Sequence, residues 1–252
     1  MTSEAIIGIR FFSGTAAAAV DEALTKKGLI VIPAAPALVK LNYDDEYRHA
    51  LQTAELVIPD SALLARLAHL VCDASLHNIS AAAYTRKLVS HLSASANGTS
   101  VWIFASDETK QRALNWLRDN GLLVDEELCY VRAQAPSKSH DHELLLKIEQ
   151  LRPGHVIVAF AGGAHEALGL YLRDYLVYRP AIHCIGSSMA LLTGEEKAIP
   201  SWAERYDLGW MARLLSQPAM LLPRIGMAAA LCLMVLWYRA ELPPLRKRWT
   251  DV

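Results

Sequence analysis

Asp60 stands directly after a short apolar run, Leu56-Val57-Ile58, which Pro59 closes, and a helical apolar pattern begins just beyond it. Proline cannot donate to a sheet ladder, so a strand stops there. A carboxylate just past a buried strand lies at the mouth of an α/β sheet, where such folds take their ligands. In that place Asp60 can act as a general base, or it can cap the helix that begins near Ser61. Gly162-Gly163 occupies a second strand-to-helix turn, where backbone amides can cradle a phosphate or simply make a tight turn. The spacing is neither GxGxxG nor a P-loop. His165-Glu166 follows that turn and would face the same crevice as Asp60. His165 can meet a substrate hydroxyl or a phosphate there, or it can stand at the surface of the first helical turn.

Other groups invite chemistry less. Ser106 follows an apolar strand, but Asp107 and Glu108 beside it would repel a phosphate, so that turn reads as helix capping. His140-Asp141-His142 has no further ligand at metal spacing and reads as a solvated turn before a helix. Ser187-Ser188 lacks a nucleophile-elbow context. The segment from Ile199 to Pro218 sets Trp202 and Trp210 with Arg205 and Arg213 at helical spacing. It is either an amphipathic helix packed on the body or an arginine-bearing flap for a diphosphate. Beyond it, Ile225 to Tyr238 is nearly all apolar between Arg224 and Arg239, and shorter than the roughly 20 residues that span a bilayer. Arg246, Lys247, Arg248 and Trp249 follow. A core helix and a helix lying in an anionic membrane surface both fit.

The elements that would position these residues alternate. Strands are expected at 5–11, 29–32, 56–58, 101–105, 128–132, 155–160 and 180–186, with helices between them. Such alternation predicts an α/β fold, a Rossmann-like and mostly parallel sheet with helices on both faces. The pattern divides the chain into a body at 1–198 and a helical C-terminal appendage at 199–252. With 252 residues and 53% hydrophobic composition, the chain can bury a sizeable core. The formal net charge of -1 gives no general attraction to nucleic acid. The four cysteines, Cys72, Cys129, Cys184 and Cys232, form no CxxC pair and read as thiols of a reducing compartment. The N-terminus lacks a basic segment with an apolar stretch behind it, so no secretory signal is expected.

Two blocks resemble one family. Ala50-Leu51, then Ala54-Glu55-Leu56-Val57-Ile58-Pro59-Asp60, resembles the "AL..ADLVLPDG" segment of the WecG/TagA/CpsF glycosyltransferases. Pro200, Trp202, Arg205, Leu208, Trp210, Arg213-Leu214-Leu215 and Pro218 resemble that family's C-terminal "P.W.QRLGLEWLYRLLQEP" block without gaps. The resemblance covers roughly 29 to 224. Departures lie elsewhere. Ala34 stands for an expected Asn, Ser61 for a Gly, Ala81-Ala82-Ala83 for "GSD", and Ala105-Ser106 for Gly-Gly. Ala161 to Glu166 stands for "GSPKQE", which puts His165 at the nucleotide-side Gln. Gly186 to Leu191 stands for "GGALDF", with Ala190 in the Asp position.

The resemblance implies an inverting transfer of a sugar from a UDP-sugar to a polyprenyl-diphosphate-linked saccharide, in bacterial cell-surface polysaccharide synthesis. It implies no cofactor and no tightly held metal. Asp60 would deprotonate the acceptor hydroxyl. Gly162, Gly163, His165, Glu166, Gly186 and Ser187 would line the donor side, and Arg205, Arg213 and Arg224 would meet diphosphate. An arginine fork suits a multiply anionic leaving group. The chain would sit in the cytoplasm on the inner face of the cell membrane, held there by its C-terminal segment, and could form a homo-oligomer. The alternative is a degenerate member that binds substrate or a partner in the same pathway.

Overall fold

The computed structural model describes residues 2–95, 99–132, 141–160, 164–195 and 221–246. The chain opens on a hairpin rather than on the single strand expected over 5–11. Strand β1 (Thr2–Ile6) pairs antiparallel with β2 (Ile9–Ser13). Ile7 and Gly8 turn between them at φ 47° and 73°. Both angles are left-handed, which is what a two-residue hairpin turn requires to match strand twist. The turn is hidden in the sequence because Ile7 continues the apolar run.

The body is a six-stranded sheet in the order β4-β3-β8-β7-β5-β6. Its strands are β3 (Gly28–Val31), β4 (Leu56–Val57), β5 (Ser100–Phe104), β6 (Cys129–Val131), β7 (His155–Ala159) and β8 (Ala181–Cys184), and every pairing is parallel. The helices are α1 (Ala16–Lys26), α2 (Asp45–Thr53), α3 (Ala62–Cys72), α4 (Ala81–Ala94), α5 (Asp107–Asp119), α6 (His142–Leu151), α7 (Ala164–Tyr175), α8 (Ser188–Leu192) and α9 (Leu221–Tyr238). A 3-10 helix at Ala35–Asn42, unmarked by any apolar period, joins β3 to α2. Thr15, Ser80, Ser106 and Asp141 each accept a first-turn amide through the side chain and fix where α1, α4, α5 and α6 begin.

Alternate strand residues feed two cores. Leu29, Val31, Val101, Ile103, Val156 and Val158 face α2, α3, α6, α7 and α9. Ile30, Leu56, Trp102, Phe104 and Ile157 face α1, α4, α5 and α8. The sheet is thus an α/β sheet covered on both sides, as the alternating pattern predicted. Connections that step toward β4 carry α2, α6 and α7 on the first face, and those that step toward β6 carry α4 and α5 on the second. Crossovers of one hand require this division. The C-terminal edge is therefore left open, with chain leaving β5 and β7 to opposite faces.

Helix α9 packs one side into the core, as the core-helix alternative expects, and leaves the other side exposed. Leu231, Met234 and Val235 are buried in the first core, while Ile225, Leu233, Leu236 and Trp237 are exposed. Ile7 N donates to Arg239 O at 2.6 Å, and Arg48 Nη1 to Pro243 O at 2.7 Å, so the end of α9 is tied to the hairpin and α2. No helix among the described residues is long and apolar enough to cross a membrane.

Candidate active site

Asp60 lies at the open C-terminal edge, where it forms an isolated parallel bridge with Ala34 beyond β3 and β4. Its segment is held from both sides: Ile58 N donates to Val31 O, and Ile79 N to Pro59 O, each at 2.9 Å. The capping alternative is settled in favour of its neighbour. Ser61 is the N-cap of α3, and its Oγ accepts Leu64 N at 3.1 Å. Asp60, the residue before the cap, is half-buried.

The turn after β7 is organised by burial. Gly169 lets α7 sit against the sheet, because a Cβ there would meet Cys184 Sγ at 2.5 Å and Leu29 Cδ1 at 2.7 Å. The first turn of α7 sinks with it. His165 is only 6% exposed and Glu166 1%, so His165 is not the surface histidine that was one of its two readings. His165 Nδ1 stands 2.9 Å from Glu166 Oε2. The two atoms are out of line for a hydrogen bond, and neither has an in-line partner among the described residues. The other ring nitrogen, Nε2, comes within 3.5 Å of where a Cβ on Gly186 would stand. Gly186 has φ +58° at the end of β8, a conformation glycine adopts without strain. The structure therefore joins His165 and Glu166 to the Gly186-Ser187 turn.

Glu166 also reaches groups that sequence reasoning did not single out. Burial, and then the Glu166 charge, hold the Tyr47 phenol and the Cys184 thiol well above their ordinary values. Tyr47 comes from α2 and Cys184 from β8, so no local spacing could have grouped them. On the far side of the edge, Ser106 Oγ accepts Thr109 N at 3.2 Å, and the Thr109 hydroxyl donates to Glu195 at 3.2 Å. That turn caps α5, as expected, and it also meets the Glu195 carboxylate. Ser187 precedes α8 without a capping bond. Ser188 Oγ lies 3.0 Å from Thr85 Oγ1 and fastens α8 to α4. Among the described residues no three His, Cys, Asp or Glu side chains gather as a metal site. Gly162, Gly163, Arg205 and Arg213 lie outside the described residues, as does the side chain of Arg224 in α9.

An open α/β edge with a carboxylate at one end and a buried imidazole at the other is a place for a polar substrate. The profile of the glycosyl transferase WecG/TagA/CpsF family matches residues 4–247, nearly the whole chain. The chain belongs to the WecG/TagA/CpsF family. No curated protein matches it. Membership makes it a glycosyltransferase of cell-surface polysaccharide synthesis. In this family member, Asp60 and His165 stand beyond β4 and β8, whose ends are separated by two strand spacings, about 10 Å.

Proposed function

We propose that the chain transfers a hexose-type sugar from a UDP-sugar to a polyprenyl-diphosphate-linked saccharide, with inversion. Asp60 takes the proton of the acceptor hydroxyl. The oxygen attacks the anomeric carbon, and the bond from that carbon to UDP breaks with its electron pair leaving on the diphosphate. Gly162, Gly163, His165, Glu166, Gly186 and Ser187 form the donor side. Arg205, Arg213 and Arg224, brought by the appendage at 199–252, meet diphosphate charge. The outward apolar side of α9 and the basic residues after it rest on the inner face of the cell membrane. The observation that carries this reading is the position of Asp60 at the sheet mouth, one residue before the Ser61 cap of α3.

The test is transfer of radiolabelled sugar from UDP-sugars to a short polyprenyl-diphosphate acceptor in vesicles. Asp60→Asn should lower turnover about 10²- to 10⁴-fold, the range for loss of a general base. Wild-type turnover surviving in Asp60→Asn would refute that role. A second reading, a non-catalytic substrate or partner holder, is favoured by the small apolar residues Ala34, Ala83, Ala105 and Ala190. Calorimetric titration with UDP separates the two. Micromolar binding supports the enzyme, and absence of binding supports the holder.

A further inference from the structure

The His165–Glu166 pair carries an inference that rests on the UDP-sugar reading and deepens it. We infer that Glu166 is a positioning residue that fixes His165 as the Nδ1–H tautomer, so that Nε2 faces the Gly186 turn as an acceptor for a ribose hydroxyl of the donor. A carboxylate only accepts hydrogen bonds, so the nitrogen beside it must carry the proton. In a neutral imidazole the other nitrogen is then a lone-pair acceptor. Glu166 Oε2 and His165 Nδ1 are 2.9 Å apart and buried, and neither has an in-line partner among the described residues. A hydroxyl bonded at Nε2 would turn the ring and close that bond.

The other titratable groups that face the pair leave it this role. Tyr47 from α2 and Cys184 from β8 both have their pKa values raised, so both stay protonated at neutral pH, and Asp44 and Tyr43 lie beyond Tyr47. Cys184 Sγ donates to the His165 carbonyl at 3.2 Å and does not compete for the ring. Phe160 meets the ring edge-on, with centroids 6.2 Å apart. Among the described residues, Nε2 is the ring atom that faces Gly186. The reacting sugar carbon must lie beside the hydroxyl that Asp60 activates. A group about 10 Å along the sheet edge falls beyond the sugar, on the nucleotide.

Two measurements test this. The first is a long-range imidazole ¹⁵N spectrum at alkaline pH, with His165 assigned by its loss in His165→Gln. Wild-type protein should show a protonated Nδ1 and a bare Nε2. Glu166→Met, which keeps the length and removes the acceptor, should lose that preference. Glu166→Gln, whose carbonyl oxygen still accepts, should restore it. The second is calorimetry with UDP and with its 2′- and 3′-deoxy analogues. Wild-type protein and Glu166→Gln should bind one analogue about tenfold more weakly than UDP, the loss of one hydrogen bond, and Glu166→Met should discriminate far less. A bare Nδ1 in wild-type protein, a tautomer unchanged in Glu166→Met, or equal affinity for UDP and both analogues overturns the inference while the donor reading stands. Failure of wild-type protein to bind UDP overturns the donor reading and the ribose assignment together.

Discussion

Acidification should unfold this protein through a buried chain of three side chains far from the open edge. Tyr84 Oη lies 2.8 Å from His183 Nδ1, and His183 Nε2 lies 3.3 Å from His155 Nδ1. Both histidines are held below the ordinary imidazole value, His183 by burial and then by His155, and His155 by burial and then by His91 and Lys27. With both rings neutral, each has a single N–H. The chain then runs in a single direction, either from the Tyr84 hydroxyl through His183 to His155 or from His155 through His183 to the Tyr84 oxygen. The unfolded chain takes up a proton at each histidine near pH 6.5, whereas His155 in the folded state takes one up only near pH 4. Between those values the unfolded state binds more protons. Stability is therefore full above about pH 6.5 and falls as the pH drops.

Each group contributes up to about 1.4 kcal/mol per pH unit through that window. Between pH 7 and pH 5 half-buried His155 accounts for about 1 kcal/mol after discounting for solvent screening, and fully buried His183 adds to the loss in the same direction. The expected loss is more than about 1 kcal/mol, a substantial share of the 5–15 kcal/mol typical of a domain. Urea unfolding at pH 7, 6 and 5 measures it directly. His183→Gln should be less stable at pH 7 by about 1–3 kcal/mol, having lost buried hydrogen bonds, but its stability should fall less steeply with acid. A wild-type loss under about 1 kcal/mol, or a variant that keeps the wild-type slope, would refute the role of the pair.

Three further outcomes follow from local geometry. Ser61→Ala should cost about 1 kcal/mol in chemical unfolding by removing the α3 cap, and it should lower turnover because Asp60 is the adjacent residue. An unchanged unfolding midpoint would remove the cap from the argument. Gly186→Ala should cost about 1–2 kcal/mol at a left-handed position and weaken UDP binding, since the added methyl meets His165 Nε2; calorimetry and unfolding together check both effects. Leu231→Ala should cost about 2–5 kcal/mol as a buried truncation, whereas Trp237→Ser should leave the unfolding midpoint within about 0.5 kcal/mol and reduce co-sedimentation with anionic vesicles.

Much of the body is legible in the sequence because its signals are local. Apolar runs closed by Pro33, Pro59 or a capping Ser mark strand ends, and Thr15, Ser80 and Ser106 sit where their helices begin. Asp60 could be placed at the mouth for the same reason. Properties that depend on which elements meet could not be read this way. The burial of His165 follows from Gly169 meeting Cys184 and Leu29 across the core. The Tyr84–His183 bond spans 99 residues. The hairpin turn at Ile7-Gly8 is set by backbone angles that the apolar side chain of Ile7 conceals.

The two ends of the open edge are built by different means, and this bears on how such a site accommodates substitution. At the Asp60 end the placement is made by backbone: a bridge to Ala34, ladder bonds on either side, and a cap supplied by Ser61. Ala34 contributes through its main chain, so an alanine there leaves the carboxylate in place. At the His165 end the placement is made by side chains, namely a buried imidazole, a buried carboxylate, and the phenol and thiol around them. A changed side chain at that end alters hydrogen-bonding character directly, because the side chains themselves supply it. The position proposed for the general base can therefore persist while the residues proposed to face the donor change. In this chain that end holds a carboxylate–imidazole pair, Glu166 Oε2 and His165 Nδ1, 2.9 Å apart.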